Sequence, residues 1–232
     1  MTIPLFREDP YLTTASATVI AAGEGTVTLD RSLFYAAGGG QPGDTGRLET
    51  DDGRMIAVGD ARYAEDRSTI ALTVDAPLEP GTIVTQHLDW PRRYNIMRMH
   101  TALHLLSVAL PFPVTGGQIG ETDSRLDFDI PDATLDKETV AAAVQALIDA
   151  DHKVSTEWIT DAELDASPDL VKTMAVKPPR GSGKVRLVRI GDVDLQPCGG
   201  THVVATSEIG RIDVKKIEKK GRQNRRVRIA LA

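Results

Sequence analysis

Two short stretches of this chain have to meet before its chemistry-bearing residues can act together: Arg98-Met99-His100-Thr101-Ala102-Leu103-His104-Leu105-Leu106 and Pro197-Cys198-Gly199-Gly200-Thr201-His202. On a helix, residues four apart share a face, so His100 and His104 would present two imidazoles to one point. Cys198, the sole cysteine, lies 94 residues beyond His104, and His202 follows it at the fourth position. Gly199 and Gly200 let the intervening chain turn tightly enough for Cys198 and His202 to close on the same ion. One thiolate and three imidazoles suit Zn²⁺ better than Mg²⁺ or Ca²⁺. We therefore expect one zinc per chain, held by His100, His104, Cys198 and His202. A His-x-x-x-His pair alone is a weak signal. The competing reading, a satisfied pair of core histidines beside a buried thiol, leaves the double glycine without a purpose.

A chain of 232 residues can bury a sizeable core as one large or two small domains. Two are expected, 1–90 and 91–232. No apolar run approaches a membrane span, and the first nine residues lack the apolar centre of a signal peptide. The expectation is a soluble, cytoplasmic protein with no membrane partner. A single cysteine cannot form an internal disulfide. The net charge of −6 is unevenly spread. Residues 1–90 hold six basic and fourteen acidic side chains, whereas 211–232 hold nine basic and two acidic ones. A cationic face on an acidic body is suited to a directed, anionic partner.

The first ninety residues read as short strands at 17–21, 26–29, 47–50, 55–58, 69–74 and 83–88. Their β-branched content and regular spacing predict a small β-barrel. Within it, 34–46 reads Phe-Tyr-Ala-Ala-Gly-Gly-Gly-Gln-Pro-Gly-Asp-Thr-Gly and lacks the Gly-Lys-Ser/Thr ending of a phosphate-binding loop. A flexible hairpin is the plain reading. Three successive glycines exceed what a two-residue turn asks for, so Gly38, Gly39 and Gly40, with Gln41, are read instead as bare backbone approaching another surface, an RNA end or the metal site.

Beyond 89–93, a helix is predicted over 96–110, ended by Pro111, with Ile96, Met99, Leu103, Leu106 and Leu110 as its buried stripe. A second helix over 137–150 is capped by Asp136 and buries Val140, Val144, Leu147 and Ile148. Thr160 and Glu163 fit a capping box that opens a third. Residues 125–130 and 226–229 alternate as half-buried antiparallel strands, which makes the second domain α+β. The stretch 177–184 is a mobile loop by composition. From 215 to 228, eight basic residues accompany one acidic residue. Lys215, Lys216, Lys219, Lys220, Arg222, Arg225, Arg226 and Arg228 on this terminal hairpin form an electrostatic footprint for phosphates, with no aromatic residue among them to stack bases.

Taken together, His100-Thr101-Ala102-Leu103-His104-Leu105-Leu106, Cys198-Gly199-Gly200-Thr201-His202-Val203, Glu208-Ile209-Gly210 and the Phe34-Tyr35 to Gly46 loop resemble the free-standing alanyl-tRNA editing proteins, of the intermediate-length class, and the matching editing domain of alanyl-tRNA synthetases. The blocks follow the family's order over most of the chain. The resemblance implies a translation-factor-like β-barrel followed by an α+β editing domain, with an antiparallel sheet and a helix carrying the two histidines. It also implies hydrolysis of the ester joining serine, and in some members glycine, to alanine tRNA at a zinc held by the four ligands. Without an aminoacylation domain the protein would act in trans on mischarged alanine tRNA. Ser32 stands where many members have threonine, which leaves the choice between serine and glycine open.

Four ligands at once would saturate a tetrahedral ion, so either one of them, His202 foremost, is loose or the ion expands to five-coordinate. No carboxylate in the motif stands as general base. Thr201 and Gln118 are candidates to hydrogen-bond the serine hydroxyl and so reject alanine. Two other classes are weighed. A non-catalytic RNA-binding module with structural zinc would need the hairpin and a closed site, and a different zinc hydrolase of a small ester or amide would need no hairpin. The oligomeric state is not legible.

Overall fold

Alternation of apolar with polar residues is what shapes the N-terminal part of the computed structural model, which describes residues 1–130, 135–171 and 183–232. The chain divides into two compact units, Met1–Tyr94 and Asn95–Ala232. In the first, strands β1 (Ile3–Pro4), β2 (Thr14–Gly23), β3 (Thr26–Leu29), β4 (Arg31–Ser32), β5 (Gly46–Thr50), β6 (Met55–Tyr63), β7 (Ile70–Val74) and β8 (Ile83–Leu88) follow one another. Six of them close a barrel in the order β2-β3-β7-β6-β5-β8. Each contains one of the six segments expected from sequence, apart from Thr69, which falls one residue outside β7. The inward positions Val19, Val27, Leu29, Leu48, Ile56 and Leu72 are buried, and Phe6 and Phe34 join them in the core. Register shifts in β2 at Val19/Ala21 and in β6 at Val58/Asp60 bend these strands, as barrel closure requires. The two-residue strands β1 and β4 pair in parallel outside the barrel, and a short 3₁₀ turn, Leu5–Arg7, has no counterpart in the sequence reading.

Helix α1 (Trp90–Ala109) begins a turn and a half earlier than the predicted 96–110. Pro91 suits a first helical position, where its missing N–H costs nothing. The following arginines belong to the barrel's contacts: Arg92 Nη1 donates to Gly43 O at 2.9 Å, and Arg93 is completely buried. Its guanidinium bonds Asp44 through Nε and Nη2, Leu33 O through Nη2 and Pro10 O through Nη1. Past Tyr94, Ile96, Met97, Met99, Ala102, Leu103, Leu105 and Leu106 are all buried. With the polar His100, Thr101, His104 and Ser107 buried as well, α1 serves as a core helix of the second unit.

That unit also contains β9 (Val114–Gln118), β10 (Asp123–Asp129), α2 (Lys137–Asp149), β11 (Val154–Thr160), α3 (Asp161–Ala166), β12 (Lys184–Ile190), β13 (Asp194–Pro197), β14 (Ile212–Lys219) and β15 (Asn224–Leu231). Its strands form two antiparallel sheets, β14-β15-β10-β9 and β11-β12-β13. The four-stranded sheet includes the terminal hairpin and both strands read from alternation. The three-stranded sheet was not anticipated. Asp136 caps α2 by accepting from Thr139 N, and Thr160 and Glu163 form a reciprocal capping box on α3. Val140, Val144 and Ile148 of α2 are buried, but Leu147 is only half-buried, because it lies at the margin of that face. The predicted loop 177–184 lies outside the described residues as far as residue 182.

Candidate metal centre

His100 and His104 project from successive turns of α1, with ring centroids 5.3 Å apart. Cys198 follows directly on β13, so the edge strand of the three-stranded sheet delivers the thiol. The turn after it returns His202 to the same place, 4.2 Å from His100 and 4.7 Å from His104 between ring centroids. One ligand atom from each of the four residues lies within 4.8 Å of all the others. Cys198 Sγ is 3.3 Å from His202 Nε2 and 3.5 Å from His100 Nε2. For zinc–nitrogen and zinc–sulfur bonds of about 2.0 and 2.3 Å, a tetrahedron has edges of about 3.3–3.6 Å. The donor set and its spacing therefore fit a metal ion. The three histidines are buried, and Cys198 is partly exposed as a residue.

Side chains outside the motifs orient these ligands. His104 Nδ1 lies 2.9 Å from Asp194 Oδ2, and Asp194 is completely buried. Gln196 Nε2 donates to the same oxygen at 2.8 Å. Thr101 Oγ1, one residue from His100, lies 3.1 Å from His202 Nδ1 and donates to Met97 O at 2.9 Å. Arg186 Nη1 donates to Cys198 O at 2.8 Å and Gly200 O at 3.0 Å, which pins the double-glycine turn. Gly200 N points back at Cys198 Sγ at 3.4 Å.

The protonation pattern follows from these contacts. Burial alone would lower the pKa of His104, but the Asp194 hydrogen bond and the Cys198 sulfur outweigh it and push it up to about 9. Burial would raise Cys198, yet the neighbouring His100 ring, first among several contacts, holds the thiol well below its usual range. His202 is pushed down to about 3 by burial and by His100, so it stays neutral.

The other residues singled out from sequence are distributed as follows. Thr201 is buried inside the ligand turn. Gln118 is exposed on β9, with its amide oxygen accepting from Arg125 Nε. Ser32 is buried, and its hydroxyl accepts from Phe34 N at 3.1 Å. Gly38 and Gln41 exchange backbone hydrogen bonds at 3.0 Å, with Gly39 and Gly40 at φ of 59° and 86°. This is a two-residue turn with both central residues left-handed, which is itself a demand for two glycines. The tight backbone approaches occur elsewhere in the loop. A Cβ on Gly43 would sit 2.3 Å from Ala61 O, and one on Gly46 would sit 2.2 Å from His87 O.

On the terminal hairpin, Arg226 grips Asp127 with two bonds of 2.7 and 2.9 Å, and Arg228 bonds Glu218 and Asp123. Lys216 and Lys220 pair with Glu218, and Lys215 pairs with Asp213. Lys219 and Arg222 are exposed with no ion pair among the described residues, and Arg225 bonds only the carbonyl of Asn224 there. Asp194, Thr101, Gln196 and Arg186 were missed by sequence reasoning. The available signal was the acid four residues before the only thiol, a partner type that metal-bound histidines commonly recruit.

Two family models match the chain, one described as "Threonyl and Alanyl tRNA synthetase second additional domain" over residues 185–228 and one as "tRNA synthetases class II (A)" over residues 10–92. The chain is 34% identical to an alanyl-tRNA editing protein AlaX-M of Methanosarcina mazei, covering 100% of this chain and 97% of the relative. It is 31% identical to an AlaX-M protein of Saccharolobus solfataricus, with 98% of each covered. An alanine–tRNA ligase of Pyrobaculum arsenaticum is 33% identical over 93% of this chain and 25% of the ligase.

Proposed function

The chain belongs to the alanyl-tRNA editing proteins, and from that premise we propose that it is an aminoacyl-tRNA deacylase that removes serine or glycine from mischarged alanine tRNA in trans at a zinc site. The observation that carries this reading is the convergence of His100, His104, Cys198 and His202 in a chain that aligns with editing proteins from end to end. On this reading 1–90 is a translation-factor-like barrel and 91–232 the editing domain. When bound, zinc would supply a Lewis acid that polarises the ester carbonyl or an attacking water.

The chain's own residues supply the rest. His100, His104, Cys198 and His202 hold the ion, and the partly exposed Cys198 side is where an aminoacyl ester enters. Thr201 and Gln118 offer hydrogen-bonding groups for a serine hydroxyl that alanine lacks, the kind of contact that discriminates by about 10⁴–10⁵ when it is built into a site. Ser32, Gly38, Gly39, Gly40 and Gln41 are proposed to approach the acceptor end. Lys215, Lys216, Lys219, Lys220, Arg222 and Arg225 face phosphates, while Arg226 and Arg228 brace the sheet beneath them.

A second reading, structural zinc in an RNA-binding module, is favoured by the completeness of the four-donor set, which is typical of closed sites. A deacylation assay with seryl-, glycyl- and alanyl-esters of alanine tRNA separates the two. Release of serine or glycine with alanine retained is expected. A zinc-loaded protein that binds tRNA and releases nothing would replace the enzyme reading with the structural one.

A further inference from the structure

Two of the four ligands are backed by groups of very different strength. His104 Nδ1 meets a carboxylate oxygen of Asp194 at 2.9 Å, and that carboxylate is fully buried. It cannot swing away, because Gln196 Nε2 holds the same oxygen at 2.8 Å and also reaches Ser107 Oγ at 3.4 Å. Ser107 in turn donates to His104 O at 2.7 Å, so the histidine's backbone, its ring and the carboxylate are tied into one loop of contacts. Among the described residues, the polar contact of His202 Nδ1 is the hydroxyl of Thr101, at 3.1 Å, and that hydroxyl spends its own proton on Met97 O. In both rings the Nδ1 contact fixes the tautomer and leaves Nε2 toward the cluster. A buried carboxylate makes its imidazole a stronger donor to a cation, and a neutral hydroxyl does so far less.

We propose that Asp194 is a positioning residue that makes His104 the anchoring ligand of the metal, and that His202, whose Nδ1 faces the Thr101 hydroxyl, is held less firmly than His104. The inference rests on the metal reading given above. It gives two of the histidine donors unequal roles: His104 would hold the ion more firmly, and His202 would be the easier of the two to displace. The asymmetry comes from different parts of the fold. Asp194 lies on β13, opposite Ile190 of β12, so the three-stranded sheet braces the helix histidine. Thr101 lies on α1 itself, among buried side chains.

The test is zinc affinity of the full chain, by competition with a chromogenic chelator, for the wild type, Asp194→Ala, Asp194→Asn and Thr101→Val. Thermal unfolding of each metal-free protein runs alongside. Asp194→Ala should weaken zinc binding by about 10- to 100-fold. Asp194→Asn, which keeps an acceptor but loses the charge, should fall between it and the wild type, and it stands in if the alanine variant does not fold. Thr101→Val should lose less than either. Wild-type affinity in both Asp194 variants overturns the inference while leaving the metal site intact, as does a larger loss in Thr101→Val. A lowered melting temperature with unchanged affinity would assign Asp194 a merely structural role and overturn it too. If the wild type itself binds no zinc, the metal reading fails, and this inference with it.

Discussion

Replacing Arg93 by methionine should unfold the first unit at far lower denaturant, because this side chain is the most fully buried charge described in it. Arg93 and Asp44 have side chains 0% and 1% exposed. The substitution leaves the Asp44 carboxylate with Tyr35 N, at 2.6 Å, as its remaining donor among the described residues, since Oδ1 has no hydrogen-bond partner there. It also strips a donor from Leu33 O and from Pro10 O. A buried carboxylate deprived of its cation costs about 2–3 kcal/mol, and each orphaned carbonyl about 1 kcal/mol. The total of about 4–5 kcal/mol agrees with the roughly 3–5 kcal/mol found when one partner of a buried ion pair is removed.

The assay can be confined to this unit. Trp90 stacks on Tyr94 with centroids 5.3 Å apart, and the only other tryptophan, Trp158, is half exposed in the second unit. In a Trp158→Phe background, urea titration followed by Trp90 fluorescence reports the barrel side alone. Arg93→Met combined with Asp44→Leu should recover much of the loss, since an apolar pair avoids the stranded charge. A single Arg93→Met variant within about 1 kcal/mol of its parent would refute the reasoning, because it would mean that the pair is solvated or that Asp44 finds another donor.

Three further outcomes are expected. Purified protein should carry about one zinc per chain, and His104→Ala and Cys198→Ala should each lose most of it; metal analysis showing full zinc in both would end the assignment. Substituting Lys219, Lys220, Arg222 and Arg225 by alanine should reduce the slope of log affinity for tRNA against log salt by about 3, at 0.7–0.9 per phosphate, whereas Arg226→Ala should chiefly destabilise the sheet by leaving Asp127 with Arg125 as its remaining arginine partner among the described residues; an unchanged salt slope would assign the hairpin charge to solubility. Gly39→Ala, at an exposed turn with nothing within 4 Å of the new Cβ, should cost about 1–2 kcal/mol for its positive φ. Gly46→Ala, which places a Cβ 2.2 Å from a backbone oxygen, should cost more, and equal melting temperatures for the two would contradict the packing.

The barrel strands were legible because each carries its own period-two signal and ends at a turn. The three-stranded sheet was not. In β12, Val185, Leu187 and Val188 are buried around a buried Arg186, so strict alternation breaks, and the segments preceding it hold Glu157 and Trp158 on exposed or half-exposed positions. Helix α1 was read too short because Trp90-Pro91-Arg92-Arg93 looks like a linker until Arg93 is seen to be buried. The metal ligands were legible from residue type and spacing alone. Their supports were not, since Asp194 is 90 residues from His104 and only the fold brings them together. The glycine loop taught the reverse lesson: Gly39 and Gly40 are explained by turn geometry, while the contacts that only glycine permits fall at Gly43 and Gly46.

The two halves of the metal cluster are also separated in time. His104 is synthesised 94 residues before Cys198, which at about 5–20 residues per second is a delay of roughly 5–20 s on the ribosome. Helix formation takes microseconds or less, so α1 can wind long before β12 and β13 exist to cover it. Through that interval its apolar sides face water or a chaperone, and His100 and His104 offer any passing divalent cation two donors without the thiolate. Two imidazoles alone hold copper or nickel more tightly than zinc. The arrival of Cys198, a soft ligand that directly follows β13, is then the step that adds a thiolate to the two imidazoles of α1.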